Sequence, residues 1–118
     1  MTAPEGPGSD MADYVIVITT VDEEATAARL SRSAVEAGLA ASGQVTGPVA
    51  TTYRHLGAVC DGVEWQVMFR TTARRATELA AHLIEEHPYA GPEVIALPIE
   101  FGPRPYLDWI ARATRPAG

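Results

Sequence analysis

His87-Pro88-Tyr89-Ala90-Gly91-Pro92-Glu93-Val94-Ile95-Ala96-Leu97-Pro98-Ile99 is the stretch that decides how the chain folds. A helical pattern runs up to His87 and must stop there, because proline pushes the residue before it out of the α region and cannot itself continue the hydrogen-bond ladder. Two prolines and a glycine then turn the chain sharply. Residues 94 to 99 beyond the turn are aliphatic and β-branched without a charge, the pattern of a strand buried on both faces. The corner thus delivers a histidine, a tyrosine and a glutamate to the mouth of a strand, a common place for a binding site.

Upstream of the corner, Ala76, Leu79, Ala80, Leu83, Ile84 and His87 keep one-face helical spacing, with Thr71 or Thr72 as the cap. Before that helix, Val49, Thr51, Tyr53 and His55 alternate with Ala50, Thr52 and Arg54. Val63, Trp65, Val67 and Phe69 alternate in turn with Glu64, Gln66, Met68 and Arg70. Asp61-Gly62 between the two runs signals a hairpin turn. With that turn, the register sets Arg54 opposite Phe69 and Tyr53 opposite Arg70. Such a hairpin outruns one layer of helices and exposes Tyr53, Trp65 or Phe69 unless another chain covers it.

Nearer the N-terminus, Tyr14-Val15-Ile16-Val17-Ile18 reads as a central strand buried on both faces. Asp22 is placed to cap a helix running to about Ala37, with Ala27, Leu30, Ala34 and Ala37 on its inner face and Gly38 beyond its end. Leu39 to Pro48 suggests a short strand that bends at Gly47-Pro48. The C-terminal helix spans Tyr106 to about Ala113, with Tyr106, Trp109 and Ile110 on its apolar face. Residues 1–12 carry no apolar period and are expected to form a disordered tail, leaving 13–118 as a single domain. Strand, helix, strand, strand, helix, strand is the split βαβ order of an α+β, ferredoxin-like sandwich, here with an extended hairpin and an extra C-terminal helix.

Fifteen carboxylates against nine arginines, with no lysine, give a net charge of −6. Nucleic acid and anionic membranes both demand a basic face, so neither is an expected partner. No apolar run approaches a membrane span and no signal peptide is recognisable, which points to the cytoplasm. Cys60 is the one cysteine, so an intramolecular disulfide and a multi-cysteine metal site are ruled out.

These residues together resemble the CutA family of divalent-cation tolerance proteins. The resemblance rests on His87-Pro88-Tyr89, Pro92 through Ile99 and Tyr106-Leu107-Asp108-Trp109-Ile110, supported by Asp22-Glu23, Leu39-Ala40-Ala41, Tyr53-Arg54, Gly57 and Arg70-Thr71. It implies a homotrimer in which the long hairpins pair edge to edge and clefts form between subunits. It also implies binding of a divalent metal ion such as copper, or of a small ligand, in those clefts, and a role in metal tolerance or signalling. The chain departs from the family pattern at Ser42, at Thr19 and Thr20, at Thr46-Gly47-Pro48, at His55 and Leu56, at Arg70 and at Ala90. Ser42 stands where the family usually has a cysteine, and Thr19-Thr20 where many members carry another, implicated in copper binding.

Several side chains are candidates for a site. His87 is a candidate metal ligand; the competing reading is a helix C-terminal residue favoured by the dipole. A soft metal wants thiolate or several imidazoles, and this chain offers one thiol and scattered histidines. Tyr53, Arg54, Arg70 and Tyr89 are candidate ligand-binding residues, the arginines for an anionic group. The alternative function is a CutA scaffold recruited as a small-molecule enzyme, with His55 or His87 as general acid or base and Glu93 orienting it or the substrate.

Overall fold

The computed structural model describes residues 13–115; the expected tail over residues 1–12 lies outside the described residues. The order is β1 (Tyr14–Val21), α1 (Glu24–Glu36), β2 (Ser42–His55), β3 (Ala58–Thr72), α2 (Ala73–Glu86), β4 (Val94–Pro98) and α3 (Arg104–Ala113). The strands form one antiparallel sheet in the order β2-β3-β1-β4. That order is the ferredoxin-like split βαβ, because β3 inserts between β1 and β2 and β1 between β3 and β4.

Alternation along the two central strands decides which face is covered. Val15, Val17, Thr19 and Val21 of β1 lie beside Thr71, Phe69, Val67 and Trp65 of β3. Their face packs against Ala27, Leu30 and Ala34 of α1 and Leu79 and Leu83 of α2, forming the main core. Alanines at two of the three α1 positions let that helix sit close to the sheet. Thr72 caps α2, its hydroxyl accepting from the Arg75 N–H at 3.2 Å. Gly38, at φ 74°, closes α1 in the left-handed conformation expected of a glycine there.

The opposite face carries Ile16 and Ile18 beside Leu97 and Ile95, and no helix among the described residues spans it. Two-sided burial of the first and last strands is therefore corrected. β1 is central but covered on one face, and β4 is an edge strand with Ile95 and Leu97 nearly half exposed. Their apolarity belongs to a face that one protomer leaves open. α3 covers only an end of the sheet, where Leu107 and Ile110 pack with Ala41, Tyr14 and Ile99. Tyr106 and Trp109 point outward and stack on each other at 5.5 Å, so of the expected face Tyr106, Trp109 and Ile110 it is Ile110 that is buried, with Leu107 in place of the two aromatics. Ile84 and Ala37 likewise face solvent, at the margins of their helical stripes.

The hairpin turns at Leu56-Gly57 and not at Asp61-Gly62. His55 pairs with Ala58 and Tyr53 with Cys60, and both turn residues take positive φ, 51° and 82°, as a two-residue hairpin loop of the primed type requires. Asp61 and Gly62 sit within β3. Asp61 accepts a 2.8 Å bond from the Thr52 hydroxyl, and a Cβ on Gly62 would lie 3.6 Å from the Tyr53 ring. The expected pairing of Tyr53 with Arg70 and of Arg54 with Phe69 is thereby corrected. Val67 and Phe69 are buried under the helices, whereas Tyr53, Val59 and Val63 are the exposed apolar residues of the arm.

Candidate functional site

One irregularity in β2 sets the site. Thr46 faces Gln66 but Val49 faces Glu64, so β2 carries one extra residue at Gly47-Pro48. A one-residue shift exchanges the faces of a strand. Beyond the bulge Thr51, Tyr53 and His55 therefore share the helix-free face with Glu64, while Thr52 and Arg54 turn to the other. Trp65 packs directly over Gly47, where a Cβ would lie 2.7 Å from the indole Cγ.

The corner after α2 folds onto this surface. Pro88 holds His87 extended (φ −77°, ψ 138°), which turns its imidazole inward, where it is buried. Nε2 lies 2.8 Å from the Thr20 carbonyl, and Nδ1 accepts the Tyr89 N–H at 3.1 Å. Since Nδ1 accepts, the ring proton sits on Nε2 and is donated to Thr20. Both nitrogens are thus engaged within the protein. The Tyr89 ring packs against the imidazole at 4.7 Å and its hydroxyl reaches Glu64 Oε2 at 3.4 Å. Thr19, fully buried, donates to the Glu93 carbonyl at 2.7 Å. The corner is pinned at both ends to neighbouring residues of β1.

Between the corner and the hairpin lies an open groove of about 730 Å³, lined by Thr20, Asp22, Thr51, Tyr53, His55, Glu64, Tyr89 and Glu93 among others. Of the residues singled out in the sequence, Tyr53, His55, Tyr89 and Glu93 meet here. His87 stands behind Tyr89 and positions it. Arg54 is bound to the Gly57 carbonyl at the turn, and Arg70 to the Gln44 side chain at 2.7 Å further along the sheet; neither lines the groove. Asp22 and Glu64 are not among the sequence candidates. The sequence places Asp22 as the cap of α1, but the cap position is Glu23 and no side chain caps it, which leaves the Asp22 carboxylate to the groove. Glu64 could have been found from its alternation with Trp65, Val67 and Phe69, which sets it on the face opposite the helix-packed residues.

Three carboxylates and no arginine line the groove. Tyr89 registers their field: burial first, then the charges of Asp22 and Glu64, the hydrogen bond to Glu64 and the neighbouring Tyr53 push its phenol up to about 12. Among the described residues no three His, Cys, Asp or Glu side chains of one protomer converge closely enough to hold a metal ion. Cys60, half-buried within β3 and opposite Tyr53, lies outside the groove lining.

Comparison with known proteins places this geometry. The profile of the CutA1 divalent ion tolerance protein family matches residues 15–113. The chain belongs to the CutA1 family. It is 34% identical over 99 residues to the divalent-cation tolerance protein CutA of Thermus thermophilus, covering 84% of this chain and 96% of that one. It is 33% identical over 108 residues to human protein CutA, covering 92% of this chain and 58% of the human one. Among solved structures, CutA from Synechococcus elongatus superposes with a TM-score of 0.83 at 38% identity, over 87% of this chain and 91% of that one. CutA1 from Oryza sativa superposes at 0.85 with 30% identity, over 92% and 99%. The CutA1 match accounts for the ferredoxin-like sheet, the long hairpin and the third helix together.

Proposed function

We propose that this CutA1 protein acts in divalent-cation tolerance as a cytoplasmic homotrimer that binds a divalent metal ion, or a small ligand of like charge, in the acidic groove, with a neighbouring subunit completing each site. The observation that carries the reading is that Asp22, Glu64 and Glu93 line one open groove with His55 and two tyrosines and without a compensating arginine; spaced too widely to chelate an ion within one protomer, they leave donors to be supplied by the neighbouring subunit. Oxygen donors with one imidazole suit a hard or borderline divalent cation, and without thiolate the affinity for a soft ion is weak. The open face with Ile16, Ile18, Ile95 and Leu97, together with the exposed arm residues Tyr53 and Val63, supplies the apolar surface for assembly.

Calorimetry with Cu²⁺ and Mn²⁺ tests the site. Saturable binding that falls at least about tenfold in Glu64→Gln/Glu93→Gln is expected, as loss of two charged donors demands. Unchanged binding in that variant removes the groove from consideration. Light scattering tests assembly, and a monomer mass at micromolar protein refutes the trimer. In the acid–base alternative, His55, Tyr89 and Glu93 act on a small organic substrate in the same groove; turnover abolished by His55→Ala with cation affinity intact would favour it.

A further inference from the structure

Away from the groove, the first turn of α2 and the end of α3 enclose a hollow of about 260 Å³, walled by Thr72, Arg74, Arg75, Glu78, Thr114 and Arg115. Three of the nine arginines of a chain with net charge −6 gather at this one place. Their setting is unusual for cations. Arg74 and Arg75 stand at the N-terminal, positive end of the α2 dipole, whose first turn contains no acidic residue, and Arg115 joins them from just beyond the end of α3. Arg75 is mostly buried, its side chain 13% exposed; Nη1 pairs with Glu78 Oε1 at 2.6 Å, Nη2 points to the Gly38 carbonyl at 3.5 Å, and the buried Nε has no hydrogen-bond partner among the described residues. Arg74 and Arg115 make no ion pair among the described residues. The Thr72 hydroxyl accepts from the Arg75 N–H, which leaves its own proton available to donate.

Like charges crowded at a positive helix end repel unless an anion lies among them. The buried Arg75 Nε–H adds a separate cost, that of a donor taken from water without an acceptor. Glu78 offsets one of the three cations and leaves two. Guanidinium forks match the oxygens of a phosphate group bidentately, and a helix N-terminus adds its field to theirs. The hollow is also larger than orthophosphate, leaving room for a substituent. We propose that it is a binding site for a phosphate-bearing small molecule, in which Arg74 and Arg115 clamp the phosphate, Thr72 donates to it, and Glu78 competes with it for Arg75.

The full-length protein is titrated calorimetrically with inorganic phosphate, pyrophosphate and, as a carboxylate control, acetate. Saturable binding of phosphate and pyrophosphate but not of acetate is expected, weakening as salt is raised. Arg74→Gln/Arg115→Gln should weaken pyrophosphate binding at least about tenfold, the loss of two charge-assisted contacts. Glu78→Gln should instead tighten it several-fold by freeing Arg75, a gain that misfolding cannot imitate. The proposal is overturned by no saturable binding of either phosphate species, by acetate binding equally well, by binding unchanged in the double variant, or by weaker binding in Glu78→Gln. Because none of these residues lines the acidic groove, the outcome is independent of cation binding there.

Discussion

Replacing His87 separates a structural imidazole from a ligand-binding one. His87→Leu removes two hydrogen bonds and leaves the buried Thr20 carbonyl and the part-buried Tyr89 N–H without partners. An unsatisfied buried group costs about 1–3 kcal/mol and a lost bond at a site water can reach about 0.5–1.5, so the variant should be destabilised by roughly 2–4 kcal/mol. The two amide variants divide the effect. Glutamine can extend an N–H to Thr20 as Nε2 does, whereas asparagine can offer its oxygen to Tyr89 as Nδ1 does. Since the Thr20 bond is the more buried, His87→Gln should cost less than His87→Asn, and both less than His87→Leu. Urea denaturation at one fixed protein concentration reads these differences without confounding by self-association. A His87→Leu protein within about 0.5 kcal/mol of wild type would refute the reasoning. So would asparagine outperforming glutamine.

Tyr89 provides a second test. Its folded value, about 12, lies above the ordinary 10.0, so its contribution to stability is complete below pH 10 and is lost as pH climbs through the folded value. Difference absorbance against Tyr89→Phe should show a phenol ionising late, and earlier in Glu64→Gln; ionisation in step with free tyrosine contradicts the groove electrostatics. Gly47→Ala drives a methyl into Trp65, with an expected destabilisation of about 1–3 kcal/mol and a shifted tryptophan emission; a stability equal to wild type would mean that the indole does not rest on residue 47. Leu97→Arg places a charge on the open face where the wild-type side chain is 46% exposed. Circular dichroism should stay native while light scattering falls from the mass of the proposed trimer to that of a monomer, and an unchanged mass would show that assembly does not use this face.

Much of the fold was legible because long apolar and periodic runs mark where the elements lie. The α2 stripe, the β1 run and the proline corner after His87 are all present where the residues place them. The hairpin turn was misplaced because Asp61-Gly62 is the stronger local signal, while Leu56-Gly57 asks a leucine to adopt positive φ. The strand register prevails there: with the turn at Leu56-Gly57, Asp61 meets Thr52 across the pair and Gly62 lies within β3 beside the Tyr53 ring. Half of the groove was legible for a related reason. Tyr89 and Glu93 announce themselves in the corner, but Tyr53 and His55 reach the face of Glu64 only through the bulge, and Asp22 lines the groove only because it does not cap α1. Side-chain direction at those positions depends on a single residue of register, which alternation alone does not fix.

The two outer strands of the sheet, β2 and β4, each carry a proline, Pro48 at the bulge and Pro98 at the last position. An imide nitrogen has no hydrogen to give, so a strand arriving alongside loses a rung at that point. On β2 the bulge also breaks the repeat, leaving Val49 to His55 as its longest regular stretch beyond the proline. The rim of the sheet can therefore offer a new strand only a short, bounded landing. Growth by repeated strand addition, the route to fibres, stalls, while a finite ring of copies that each use one such landing remains open.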